Sequence, residues 1–103
     1  MSDTQDRFMD ALRDAAATRG LDARVNAQYA NTGNVLIHES RTDFGAPIMR
    51  IAYSFQQHYA TLLVITLDSD RRSFPHADFD GDGLGEALAY IADALDGLGH
   101  TGT

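Results

Sequence analysis

Ala60-Thr61-Leu62-Leu63-Val64-Ile65-Thr66-Leu67 is the stretch on which the fold turns. Its core, Leu62–Ile65, is apolar at four consecutive positions and rich in β-formers, which is the pattern of a strand covered on both faces and hence interior to a sheet. Immediately before it, Ile48–Phe55 alternates. Met49, Ile51, Tyr53 and Phe55 fall on one side and Arg50 and Ser54 on the other, so this segment reads as a half-buried strand. Only the short polar stretch Gln56–Tyr59 separates the two, so they pair as antiparallel neighbours.

Further upstream, Ser40–Pro47 holds Asp43, Gly45 and Pro47 and reads as a loop. Ala23–Ala30 alternates Val25, Ala27 and Tyr29 against Arg24, Asn26 and Gln28. Val35–Glu39 resumes the strand pattern after Asn31-Thr32-Gly33-Asn34, whose Gly and Asn suit a hairpin turn. Asp3–Arg19 has the helical period instead. Phe8, Met9, Leu12, Ala15 and Ala16 share one face, Asp6, Asp10 and Asp14 line the other, and Gly20 follows as a stop signal.

Downstream, Asp68–Asp82 reads as a 15-residue connection carrying Pro75 and five aspartates. Gly83–Leu98 closes the chain as a helix whose stripe is Leu84, Leu88, Ile91, Leu95 and Leu98, with Asp82 or Gly83 at its N-cap. The expected architecture is α+β: a four-stranded antiparallel sheet flanked by N- and C-terminal helices, in the order α-β-β-β-β-α. Residues 1–103 form one domain with residues 1–2 and 100–103 frayed. The apolar content of 44% and charged content of 22% are ordinary for such a domain and argue against disorder.

Charge is the second informative feature. From Asp68 to Thr103 there are eight carboxylates against Arg71 and Arg72, so these 36 residues hold −6 of the net −7. Such a field steers basic partners and repels DNA, RNA and anionic lipid. The arginine pair itself, set among aspartates, reads first as a local salt-bridge site and otherwise as an anchor for an acidic partner. There is no cysteine, which excludes disulfides, thiolate metal sites and a cysteine nucleophile. No apolar run approaches the ~20 residues of a membrane helix, and Met1–Asp14 carries four aspartates where a signal peptide has its apolar stretch. A cytoplasmic protein that touches neither membrane nor nucleic acid directly is the expectation.

Asp78-Phe79-Asp80-Gly81-Asp82-Gly83 matches the front half of an EF-hand calcium loop, with oxygen ligands at alternating positions and Gly at the sixth. The pattern then breaks. Ala89 stands at position twelve, where a bidentate Glu closes the shell, and no helix precedes the loop. Asp78, Asp80 and Asp82 are therefore candidate calcium ligands only under an alternative reading, and otherwise no cofactor is expected. His76 adds a nitrogen donor nearby, but His38, His58 and His100 are scattered. No nucleophile elbow, phosphate loop or paired-histidine motif occurs, so an enzyme is not expected.

The final helix breaks a local rule. Asp93 and Asp96 oppose the helix dipole at its C-terminal end, and no lysine or arginine follows. Rules broken without compensation point to a surface kept for binding. Asp78, Asp80, Asp82, Glu86, Asp93 and Asp96 are therefore the candidate partner-binding residues. The expected function is that of a small acidic binding protein that imitates nucleic-acid charge and blocks a basic nucleic-acid-handling protein. Small acidic inhibitors from phages and mobile elements, anti-CRISPR proteins among them, offer an analogy of size and charge. The alternative is a structural or assembly module, a homodimer whose apolar interface is furnished by Tyr29, Phe44, Tyr53, Phe55 and Tyr59.

Overall fold

In the computed structural model, residues 3–42, 44–66, 70–80 and 82–99 are described. The elements are α1 (Asp3–Thr18), β1 (Asp22–Tyr29), β2 (Thr32–His38), β3 (Met49–Phe55), β4 (Tyr59–Thr66), β5 (Arg71–Asp78) and α2 (Gly83–Gly99). The class is α+β as expected, but the sheet has five strands. Each pairs antiparallel with its sequence neighbour in the order β1-β2-β3-β4-β5.

The additional strand lies inside the segment expected to be a 15-residue loop. β5 pairs Ile65 with Arg71, Val64 with Arg72, Leu63 with Ser73 and Leu62 with Phe74, and then slips so that Ala60 meets Ala77. Three residues of β5 thus span two of β4, which is a bulge at Pro75-His76. Pro75 is tolerated because β5 is an edge strand and needs a partner on one side only.

Both helices pack on one sheet face. Phe8, Met9, Leu12 and Ala16 of α1 and Ala87, Ile91 and Leu95 of α2 share a single core with Val35, Ile37, Met49, Ile51, Tyr53, Phe55, Ala60, Leu62, Val64 and Ala77. The stripe expected on α2 is rotated slightly. Ala87, Ile91 and Leu95 are fully buried, whereas Leu84 and Leu88 are partly buried at its flank, and the Leu98 side chain lies outside the described residues. Phe55 is the meeting point of the layers, with Phe8 edge-on at 5.4 Å, Tyr53 at 5.7 Å and Phe79 at 6.0 Å between ring centroids. Tyr53 and Phe55, expected at an interface, are therefore core residues, as their position in the β3 alternation dictates.

Local chemistry sets the ends of the elements. Gly20 has φ +75° and closes α1 by donating to the Ala17 carbonyl at 3.1 Å, while Leu21 donates to Ala16 at 2.8 Å. That pair of bonds is a Schellman stop, and Leu21 turns back into the core. The first hairpin turns two residues earlier than expected. Tyr29 pairs with Thr32, Gly33 lies within β2 opposite Tyr53, and the left-handed conformation falls on Ala30 at φ +56°. Asn31 explains the shift. Its carbonyl accepts from the Phe55 amide at 2.8 Å and its side-chain amide donates to the Phe55 carbonyl, which ties the turn to the end of β3.

β4 is interior in its pairing, as expected, but only one of its faces is covered. Ala60, Leu62 and Val64 are buried under the helices, whereas Leu63 and Ile65 are half-buried on the opposite face. No helix or strand packs on that face among the described residues.

Candidate functional site

The six acidic candidates do not form one cluster. Asp78 is half-buried at the end of β5, opposite Tyr59. Asp80 and Asp82 are exposed in the turn that follows, and the Asp82 carbonyl accepts from the Glu86 amide at 2.7 Å. Asp82 is thus the N-cap, and Glu86 falls one position beyond the reciprocal capping-box site. Glu86 and Asp93 are exposed on α2.

Asp96 behaves differently. Its carboxylate accepts from Arg19 Nε at 2.7 Å, and Arg19 also donates to the Ala15 carbonyl at 2.8 Å. The compensation absent from the sequence of α2 itself is therefore supplied by a residue 77 positions away. This contact also orients the helices. Phe8 and Phe79, toward the beginnings of the two helices, both touch Phe55, and the two ends meet at Arg19, so α1 and α2 run side by side in the same direction. With no basic residue in either last turn, Arg19 is the cation placed where two negative dipole ends converge.

Exposed carboxylates recur on both helices of this layer. Asp6, Asp10 and Asp14 of α1 and Glu86 and Asp93 of α2 are exposed, and among the described residues none is within ion-pairing distance of an arginine. Arg7 and Arg13 are exposed on the same helix and dilute the α1 column. The α1 aspartates recur every four residues, a rise of about 6 Å. Their i, i+4, i+8 spacing is legible in the sequence as an acidic column, more weakly than the charge of the C-terminal third.

Calcium-type coordination gains no support. Among the described residues no group of three His, Asp or Glu side chains is arranged to hold a metal ion. His76 instead stacks on Tyr59, with ring centroids 4.0 Å apart. Gly81, within the same motif, and Asp68 lie outside the described residues.

The arginine pair is split by strand alternation. Arg72, expected in a local salt bridge, lies over the rings of Phe74 and Tyr90, at 4.9 Å and 5.3 Å from their centroids. Arg71 projects to the other face. There Arg24, Leu36, Arg50, Ile65 and Arg71 form one cross-strand row through all five strands. Arg24 is bound to Asp22 at 2.6 Å and to the Ser40 and Arg41 carbonyls at 3.0 Å and 3.1 Å, so the loop after β2 folds over that end of the sheet. Arg50 and Arg71 are exposed, and neither meets a carboxylate among the described residues. With Pro47 and Ile65 they line a depression of about 380 Å³.

Comparison with known proteins gives no further lead: no family model, no curated protein and no solved structure matches the chain. No described helix is long and apolar enough to cross a membrane.

Proposed function

We propose that this chain is a small non-enzymatic binding protein whose acidic helix layer engages a basic protein, and that it inhibits a nucleic-acid-handling partner by occupying its phosphate-binding surface. The observation that carries this reading is the set of five exposed carboxylates on two adjoining helices, none within ion-pairing distance of an arginine among the described residues. A rigid layer is the right support for such charges, because two helices held on a sheet lose little further entropy on binding. Electrostatic complementarity of this kind acts chiefly on association rate and partner choice.

Asp96 is tied to Arg19, so the informative substitutions are Glu86→Gln with Asp93→Asn. The probe is an octa-arginine peptide, titrated at low and physiological salt. Neutralising Glu86 and Asp93 weakens binding, whereas neutralising two exposed acids at strand ends, Glu39→Gln with Asp70→Asn, leaves it near the original value. Equal losses in both variants would show attraction to net charge alone and end the reading.

A further inference from the structure

The open sheet face and the acidic helix layer are complementary to each other. Arg50 and Arg71 are two strands apart, with Ile65 directly between them in the same row. At the normal strand spacing their backbones are about 9.6 Å apart. On α2, Glu86 and Asp93 are seven residues apart, which places them on one helix face about 10.5 Å apart. Between them on that face is Ala89, a small exposed residue.

From this match we infer that a second copy of the chain docks its α2 on the open face of the first. Glu86 and Asp93 meet Arg50 and Arg71, and Ala89 rests on Ile65. The contact supplies what each surface lacks. The guanidinium groups gain carboxylates, and Leu63 and Ile65, which are apolar on a face that carries no helix, gain a covering layer. Copies with a net charge of −7 repel one another at long range. At physiological salt that repulsion is screened beyond about 8 Å, while ion pairs in direct contact persist.

The contact is head-to-tail. Each copy offers a helix layer on one side and, beside the loop after β2, an open sheet surface on the other, so addition continues into a chain of copies or closes into a ring, and does not stop at a two-fold dimer. Pairing through the strand edges is the competing route, and the edges oppose it. β5 carries Pro75 and a bulge, and β1 breaks register between Asn26 and Tyr29. The inference rests on the proposed binding role of the helix layer and names a partner for it.

Sedimentation velocity across a concentration series up to about 1 mM, a range that detects even weak association, tests this with two charge reversals. The wild-type sedimentation coefficient rises with concentration. Arg50→Glu/Arg71→Glu and Glu86→Arg/Asp93→Arg each remain monomeric. The second reversal brings the net charge nearer zero, so a mere relief of repulsion would make it associate more. Mixing the two variants restores association, because the reversed helix of one now fits the reversed sheet of the other. A monomeric wild type, an associating reversal variant on its own, or a mixture that stays monomeric overturns the inference. Binding of octa-arginine to Arg50→Glu/Arg71→Glu keeps the two ideas separable. If that binding survives while the wild type never self-associates, the helix layer still binds basic partners and only the second copy is ruled out.

Discussion

Removing one oxygen atom from the core is expected to stabilise this protein. Tyr53 is 4% exposed, between the helix layer and the middle of the sheet, and its hydroxyl is buried with no hydrogen-bond partner among the described residues. An unpaired buried hydroxyl costs about 1–3 kcal/mol in lost hydration. Tyr53→Phe removes that cost and keeps the ring and its edge-on contact with Phe55. Taking the low end, because the hydroxyl's van der Waals contacts are lost with it, the gain is about 1 kcal/mol, or a rise in Tm of about 4–6 °C for a domain of this size.

The same burial raises the phenol pKa above its usual 10.0. Above pH 10 the unfolded chain releases this proton while the folded chain retains it. The unfolded state then binds fewer protons, and stability falls as pH rises toward the folded value. Tyr53→Phe therefore also removes part of the alkaline loss of stability. Urea unfolding at neutral pH and at about pH 10.5, just above the ordinary tyrosine value, measures both effects. A variant that is less stable at neutral pH, with an unchanged alkaline slope, would mean that the hydroxyl is satisfied in the folded state.

Three further predictions concern the fold and its helix layer. Ala30→Gly relieves a left-handed residue with a Cβ and gains about 0.5 kcal/mol after the added backbone entropy of glycine; a loss of stability in thermal melts would contradict that backbone. Gly83→Ala puts a methyl group 2.5 Å from the Asp78 amide nitrogen and 3.1 Å from Ala77 Cα, forcing the β5–α2 turn apart at a cost of about 1–3 kcal/mol; an unchanged midpoint in urea would show that the turn relaxes freely. Arg19→Ala loses the contact to Asp96 and the bond to the end of α1, about 0.5–1 kcal/mol and less at high salt; a salt-independent effect would assign the loss to packing.

The parts of the fold that were legible are those where one period ran unbroken. The α1 stripe and the β3 alternation are plain because each buries a regular set of side chains, whereas the apolar run of β4 marks an interior strand but misleads about its faces, since Leu63 and Ile65 lie half-buried on the open side. β5 did not. Its core-facing residues Phe74 and Ala77 are three positions apart because the bulge inserts a residue, so the period-two signal is destroyed where it would be read. Pro75 and two arginines completed the disguise. The first turn is not legible because Gly33 is a stronger turn signal than Ala30, and the deciding contact, Asn31 with Phe55, is remote in sequence.

For the candidate site, the acidity was plain from composition but its arrangement was not. The bond from Arg19 to Asp96 and the side-by-side helices arise from tertiary packing. The arginine row arises from strand register, which places Arg50 and Arg71 together although neither has a sequence neighbour to suggest it.

The meander has a kinetic consequence. Every strand finds its partner across a short connection, so the sheet can zip one hairpin at a time with little loop-closure entropy to overcome. The encounter most distant in sequence among the described residues is between α1 and α2, joined by Arg19 and Asp96, while Phe8 of α1 and Phe79, just before α2, both reach Phe55. Refolding should therefore be a fast single phase in which Phe8→Leu accelerates unfolding far more than it slows folding, since helix docking follows the rate-limiting barrier. Stopped-flow data in which that substitution mainly slows folding would place the meeting of the helices before the sheet.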